Sequence, residues 1–351
     1  MRFGVVVHGA EVIDSGMAVR IMDRLEEEGE VVATLGGAMG TAAIIDAGLE
    51  DRISIVPRQL VSNALPLLDR TCDATAVLNW SKSRESGTGF GSIVFGRVST
   101  KLSSPLAQLD RDFFIEWVPS LPTPLASLIN ELGLERVTAA PPAEMGKDVR
   151  RLHGVRRGEN IWINGTVVGR ATSSDVTVRL VDGELRFENV EVKHHGLEKV
   201  RVTDVGKAVI RSGSVRRTRA TPRIAPPSPG DRIILVDHRA EDAIFRAKGA
   251  RAAITVGDDT TRISTSLLAR LGVPVIGIVD GDEDGICVDR ASAPGSVAIR
   301  LRPGNDDQLG DAVRRTVFNG ADEMLYAGDL RELADTIAVM AGNALIDVKK
   351  S

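Results

Sequence analysis

The sequence predicts an α/β protein interrupted by a small all-β segment. A Rossmann-like parallel sheet domain is expected over residues 1–147 and a small antiparallel β module over 148–215. A Pro/Arg-rich linker over 216–230 and a second α/β domain over 231–351 complete the chain. Three observations carry this reading. Short apolar runs alternate with amphipathic segments up to Lys147, the pattern of a mainly parallel sheet covered by helices on both faces. Past Lys147 the runs alternate with period two and are separated by Asn-Gly and Asp-Gly pairs. The α/β alternation returns at Asp231. A length of 351 residues also suits two or three compact units better than one.

Phe3–Val7 is the first strand. Gly16–Glu28 follows as a helix, with Met17, Ile21, Met22 and Leu25 recurring on one side. Val31–Leu35 is the next strand and runs into Gly36-Gly37. Thr41–Ala47 forms a helix closed by Gly48, because glycine accepts the left-handed conformation that ends helices. Leu60–Arg70 is helical around Pro66, and Ala74–Asn79 and Phe114–Val118 are further strands. In the β module, Ile161–Ile163 and Thr166–Val168 flank Asn164-Gly165, and Val176–Val181 and Glu184–Val192 flank Asp182-Gly183; each is a hairpin. His194-His195 falls at the end of the last alternating strand, which turns the two rings to opposite faces. Arg216–Gly230 holds four prolines and four arginines. Arg232–Val236 and Val273–Val279 are strands of the last domain, and Arg331–Ala341 is its final helix.

Hydrophobic residues make up 43% of the chain but aromatic ones only 3%, so the cores are built from Val, Ile, Leu and Ala. The net charge of -4 argues against a constitutive nucleic-acid surface, which needs a positive excess. Cys72 and Cys287 stand alone in the sequence, as in a reducing compartment, and no apolar stretch approaches the roughly 18 residues of a membrane span. A cytoplasmic protein without membrane partners is expected, with a homo-oligomer left open.

The first site candidate is acidic. Arg232–Val236 ends in Asp237, and Val273–Val279 runs into Asp280-Gly281-Asp282-Glu283-Asp284-Gly285. Parallel strands open on one edge, so these carboxylates can converge on a divalent cation. Magnesium suits them, being hard and content with a few carboxylates plus water and phosphate oxygens. Asp237, Asp280 and Asp282 are the candidate catalytic residues, and the same three with Asp284 are the candidate magnesium ligands. The plain alternative is a turn, since Asp and Gly both tolerate turn geometry. An EF-hand is excluded, because the twelfth residue from Asp280 is Ala291.

The stretch from Leu235-Val236-Asp237 through the Gly257-Asp258-Asp259 turn to Asp280-Gly281-Asp282 resembles the Toprim domain of primases, topoisomerases and related nucleases. The resemblance implies a Toprim-like α/β domain in which Asp237 serves acid–base chemistry or metal binding and Asp280 and Asp282 hold magnesium. The first acid of that family is usually Glu, one methylene longer than Asp237.

The second candidate lies at the N-terminal sheet. Polar or glycine clusters follow three strands: His8-Gly9-Ala10-Glu11, then Gly36-Gly37-Ala38-Met39-Gly40-Thr41, then Ser81-Lys82-Ser83-Arg84 with Gly87, Gly89 and Gly91. Open α/β sheets bind ligands beyond the carboxyl ends of their strands. His8, Gly9, Glu11, Gly36, Gly37, Gly40 and Thr41 are therefore candidate ligand-binding residues, with Lys82 and Arg84 as countercharge for a phosphate or carboxylate. The alternative is that the glycines serve backbone geometry alone. No dinucleotide fingerprint or P-loop is matched.

Val7–Gly16, Leu35–Gly40, Gly257–Thr261 and Asp280-Gly281-Asp282 together resemble an uncharacterised family of methanogenic archaea, domain of unknown function 2117. The resemblance spans nearly the whole chain and implies a role in methanogen physiology. Basic residues gather at Arg150-Arg151, Arg156-Arg157 and from Arg211 to Arg223, either as solvated surface or as a groove for a nucleic-acid backbone. The leading expectation is a magnesium-dependent enzyme of phosphoryl transfer or phosphoester hydrolysis acting on a phosphate-containing small molecule. The rival is a non-catalytic ligand-binding or assembly factor, and nucleic acid is the less favoured partner.

Overall fold

The structure is a computed structural model that describes residues 1–38, 40–138, 146–213, 216, 220–237, 240–281 and 291–350, with the side chains of His195, Glu241 and Asp242 left aside. The chain divides into two compact units. Residues 1–164, 168–193 and 201–213 form the first, and residues 165–167, 194–200 and 214–351 form the second.

The first unit opens with β1 (Arg2–His8), α1 (Glu11–Asp14), α2 (Met17–Glu26), β2 (Glu30–Gly36), α3 (Thr41–Ala47), β3 (Ile53–Ser54), α4 (Val61–Leu68) and β4 (Ala74–Leu78). It continues with α5 (Arg84–Val98), β5 (Leu106–Leu109), β6 (Phe113–Val118), α6 (Thr123–Glu131) and β7 (Glu135–Arg136). The sheet order is β3-β2-β1-β4-β5-β6-β7. Strands β1 to β5 are parallel to their neighbours, and β6 returns antiparallel to β5. The chain thus winds outward from β1 in both directions, so the strand order reverses between β1 and β4, the position at which open α/β sheets bind ligands. Alternate residues of β1 feed two cores. Phe3, Val5 and Val7 pack with α1, α2, α3 and α6, while Val6 packs with α4 and α5.

Helix α5 is a departure from the sequence reading, which treats Gly87, Gly89 and Gly91 as part of a polar cluster after a strand. Each interior glycine costs a helix about 1 kcal/mol relative to Ala, which hides it from propensity arguments. Two features offset that cost. Ser83 and Ser86 form a reciprocal capping box at its start. The missing side chains let the helix lie close against β5 and β6: a Cβ at Gly91 would collide with Gln108 Oε1 and come 2.5 Å from Trp117, and one at Gly87 would come 2.7 Å from Asp110 Oδ2.

The β module contributes β8 (Val149–Leu152), β9 (Asn160–Ile163), β10 (Thr166–Ala171), β11 (Val176–Val181), β12 (Glu184–Glu188) and β13 (Val190–Val192). After α7 (His194–Glu198) comes β14 (Ile210–Ser212). They make two small sheets, β13-β10-β9-β14 and β12-β11-β8. Both hairpin turns have positive φ at both central residues, Asn164-Gly165 and Asp182-Gly183, as type I′ turns require. Glu184–Val192 is broken at Asn189, whose φ is positive and whose side-chain amide donates to Asp175 O. His194 and His195 begin a helix instead of ending that strand, so the opposite-face argument for their rings does not apply.

The second unit contains β15 (Arg232–Asp237), α8 (Ala240–Arg246), β16 (Ala250–Val256), α9 (Asp258–Ala269), β17 (Val275–Val279) and β18 (Val297–Leu301). Then follow α10 (Asp306–Thr316), β19 (Glu323–Leu325), α11 (Leu330–Met340) and β20 (Leu345–Lys350). Its sheet runs β19-β15-β16-β17-β18-β20, with four parallel strands between two antiparallel edges. Ile233 and Leu235 pack toward α10 and α11, whereas Ile234 and Val236 pack toward α8 and α9. Among the described residues no helix is long and apolar enough to cross a membrane.

Gly91→Ala is expected to destabilise the first unit by about 1–3 kcal/mol through overpacking against Gln108 and Trp117, read as a lower urea midpoint. An unchanged midpoint contradicts the close α5–β5 approach.

Candidate functional site

Three adjacent strands of the first unit each end in a polar residue. His8 is the last residue of β1, Asn79 follows β4 and Asp110 follows β5. The registers Val7↔Leu78 and Leu78↔Leu109 bring these successors level. Asp110 is fully buried. Its Oδ1 accepts from Ser81 N–H at 2.8 Å, Ser81 Oγ–H at 2.9 Å and Arg111 N–H at 2.8 Å, and its Oδ2 accepts from Asn79 Nδ2 at 2.8 Å. An acceptor-only carboxylate dictates which end of the Asn79 amide faces it. The amide oxygen then points to His8, whose Nδ1 lies 2.9 Å away. An amide oxygen facing Nδ1 can only accept, which leaves one solution: Nδ1 carries the proton and Nε2 presents a lone pair.

The imidazole is held flat by Phe90 of α5, with ring centroids 4.1 Å apart and planes 12° from parallel. Burial pushes the His8 pKa below the ordinary imidazole value and Arg211 adds to this. The Asn79 hydrogen bond and the charges of Glu11 and Asp110 pull the other way without cancelling it. His8 is therefore a neutral acceptor at physiological pH. Beyond Phe90, an apolar cavity of about 10 Å³ lined by Leu65, Val94, Phe95 and Trp117 among others has room for about one water and none for an organic ligand.

The glycine turns beside His8 pack on one another. Gly9 has a φ of 87°, and a Cβ at Gly40 would lie 3.0 Å from Gly9 O, so the turns after β1 and β2 touch through backbone. A side chain at Gly36 would run into Val61, Gly37 N–H donates to Gln59 O, and the buried Thr41 hydroxyl donates to Ala38 O at 2.8 Å. Of the residues predicted from sequence, His8, Gly9 and Glu11 stand at the β1 end, and Gly36, Gly37, Gly40 and Thr41 form the adjoining turn.

Lys82 and Arg84 are committed to protein partners. Lys82 Nζ donates to Glu159 Oε2 at 2.5 Å, Ser212 Oγ at 2.9 Å and Ser212 O at 3.0 Å, which accounts for its three protons. Burial pushes the Glu159 carboxyl up, but the hydrogen bond and charge of Lys82, aided by Arg156 N–H and Ser212 Oγ–H, outweigh this and leave it below its ordinary value. Arg84 pairs with Glu135 at 2.8 Å and Asp112 at 3.4 Å on the surface. The other basic residues also point to separate partners. Arg150 donates to Ala208 O, its guanidinium pushed down to about 10 by burial with a contribution from Arg97, and Arg151 pairs with Asp175. Arg211 lies over the Trp162 ring.

At the acidic edge of the second unit, Asp237 and Asp280 end strands separated by β16. Asp237 is level with Val256 and Val256 with Ile278, so Asp280 stands about 10 Å to the side and two residues further on. Asp237 accepts from Arg314 at 3.2 Å and lies 3.8 Å from Lys199, which also pairs with Asp307 at 2.7 Å. Asp280 Oδ2 accepts from Gly304 N–H at 2.5 Å, while Asp258 accepts the N–H groups of Asp280 and Gly281. These carboxylates tie the turns after β16, β17 and β18 together. Asp282 and Asp284 lie outside the described residues. Among the described residues no group of three or more His, Cys, Asp or Glu side chains is placed to hold a metal ion.

Asn79, Asp110, Glu159 and Ser212 were not singled out by sequence reasoning, and Arg211 was named only as the start of a basic stretch. The available signal was positional: Asn79 and Asp110 each follow an apolar run, as His8 does.

Comparison with known proteins gives two matches. The profile of domain of unknown function 2117, described as an uncharacterised protein conserved in archaea, matches residues 5–321. An uncharacterised protein of Methanocaldococcus jannaschii, MJ0065, is 36% identical over 335 residues, covering 90% of this chain and 92% of that protein. No solved structure matches. Neither match bears on the Toprim resemblance.

The Lys82–Glu159 pair makes a signed prediction. A carboxyl held below its unfolded value of about 4.3 stabilises the fold above that pH, and the contribution is lost as pH falls through the lower folded value. Lys82→Met is expected to cost about 3 kcal/mol at pH 7 by leaving Glu159 buried without its cation. The double variant Lys82→Met/Glu159→Met should lose less stability between pH 7 and pH 3 than the native chain, measured by urea unfolding. Equal losses would show that the pair does not govern acid sensitivity.

Proposed function

The chain belongs to the archaeal family domain of unknown function 2117, and for this member we propose that the first unit binds a small polar molecule at the carboxyl edge of β1 and β4, with His8 accepting a hydrogen bond from it. The observation that carries this reading is the buried chain Asp110–Asn79–His8, which ends in a neutral imidazole with Nε2 as acceptor. The position supports it as well, because the β1/β4 switch is where open α/β sheets place ligands. A structural role for His8 would be served by the Nδ1 bond and the Phe90 stack alone; the oriented Nε2 lone pair is what binding uses.

Magnesium-dependent phosphoryl transfer or phosphoester hydrolysis at the second unit ranks behind this reading. Among the described residues Asp237 fits the ion poorly, because magnesium there would compete with Arg314 and sit close to Lys199. Asp280 Oδ2 already accepts a backbone N–H, which leaves only its buried Oδ1 without a hydrogen-bond partner. No step through magnesium follows from these residues.

A library of nucleotides, sugar phosphates, hydroxy acids and amino acids, screened by ligand-observed NMR, is expected to yield binders whose affinity falls at least roughly tenfold in His8→Phe, which keeps the ring stack but removes the acceptor. Asp280→Asn should leave them unchanged. Binders indifferent to His8→Phe, or a magnesium binding heat lost in Asp280→Asn, would move the function to the second unit.

A further inference from the structure

We infer that Arg97 and Arg150 of the first unit form an anion site whose ligand carries a phosphate group. Arg97 belongs to the last turn of α5 and Arg150 to β8. Phe90, which stacks on His8, lies about two turns earlier on α5, so this site is separate from the His8 site. Both guanidiniums reach the same stretch of backbone ahead of β14. Arg97 Nη2 donates to Gly206 O at 3.0 Å and to Lys207 O at 3.5 Å, and Arg150 Nη1 donates to Ala208 O at 2.8 Å. The carbonyls of three consecutive residues therefore hold two cations side by side. That stretch is itself fixed: Val205 N–H donates to Lys147 O at 2.8 Å, and Ala208 N–H donates to Asp204 O at 3.2 Å.

What the pair lacks is negative charge. Among the described residues no carboxylate pairs with either guanidinium. Asp204 acts on Arg97 through its charge but not by contact. Its Oδ1 accepts from Lys207 N–H at 3.1 Å, and its Oδ2 lies 3.6 Å from Lys207 Nζ. Charges withdrawn from water are normally paired, and a carbonyl is only a neutral acceptor. Burial, and then the charge of Arg97, push the Arg150 guanidinium down to about 10, so its present surroundings leave the charge poorly compensated. Arg151, the next residue, shows the contrast: it points to the other face of β8 and pairs with Asp175 at 2.9 Å. Each guanidinium has five N–H donors, and the carbonyls engage only a minority of them. Those left over on two adjacent heads suit the several oxygens of a phosphate group. Its charge near neutral pH, approaching -2, matches two guanidiniums, where a carboxylate would leave one unbalanced.

The test uses the full chain with isotope-labelled arginine. The guanidinium N–H resonances of Arg97 and Arg150 are followed by NMR while inorganic phosphate, acetate or sodium chloride is added at constant ionic strength. Phosphate should shift both saturably, and acetate should bind at least roughly tenfold more weakly. Arg97→Gln should weaken phosphate binding at least roughly tenfold, read at Arg150, in a chain whose urea midpoint confirms that it folds. Should that variant not fold, Arg97→Lys keeps the charge but loses the planar fork, and is expected to bind roughly tenfold more weakly. Arg151→Gln removes the same charge from the other face of β8 and should bind phosphate as the native chain does. Resonances of Arg97 and Arg150 that do not saturate with phosphate, or that answer equally to chloride, overturn the inference. So does phosphate binding that survives both Arg97 variants, or that falls as far in Arg151→Gln.

Discussion

Burial of the Asp110 carboxylate is the constraint on which the first unit depends. A carboxylate removed from water needs its lone pairs filled, and here four donors from Asn79, Ser81 and Arg111 fill them. Those donors fix the start of the chain segment leaving β4 and the turn after β5. Orientation then propagates outward: the carboxylate sets the Asn79 amide, the amide sets the His8 tautomer, and Phe90 sets the plane of the ring. Helix α5 can deliver Phe90 because Gly87 and Gly91 let it approach β5 so closely. Packing and chemistry are thus one arrangement, in which a glycine-bearing helix is stabilised by contacts its own sequence does not advertise.

Lys82 acts at the next level. Its three donors join the segment after β4 to the start of β9 and to β14, binding the β module to the sheet edge from within the same compact unit. Gly213, with a φ of 102°, lies where a Cβ would be 3.2 Å from Lys82 Nζ, so this corner is built for close approach. In the second unit, carboxylates do comparable work on turns: Asp258 and Asp280 satisfy backbone N–H groups, and Asp237 holds Arg314. The acidic edge is first of all a framework of caps.

Much of the fold was legible because strands of a covered parallel sheet read as apolar runs and type I′ hairpins read as Asn-Gly and Asp-Gly. Phe3–Val7, Ala74–Asn79 and Arg232–Val236 follow from that alone. Helix α5 was not, since four glycines within Arg84–Val98 argue against a helix unless the partner surface is known. His8 was legible as a residue at a strand end. Asn79 and Asp110 were not, because Asn and Asp after a strand are also the commonest turn formers. Lys82 was legible as a cation near the edge, but its partner Ser212 lies 130 residues away and nothing local announces it. The carboxylates of Asp237 and Asp280 fall at strand ends as expected, and only the tertiary structure shows Arg314 and Gly304 on them.

The central claim is that Asp110, through Asn79, presents His8 with Nδ1 protonated and Nε2 bare. Long-range ¹H–¹⁵N NMR of the histidine rings near neutral pH reads this directly. The account predicts that His8 is neutral with its proton on Nδ1. A proton found on Nε2 would contradict the hydrogen-bond chain and remove the basis for a ligand acceptor at this edge.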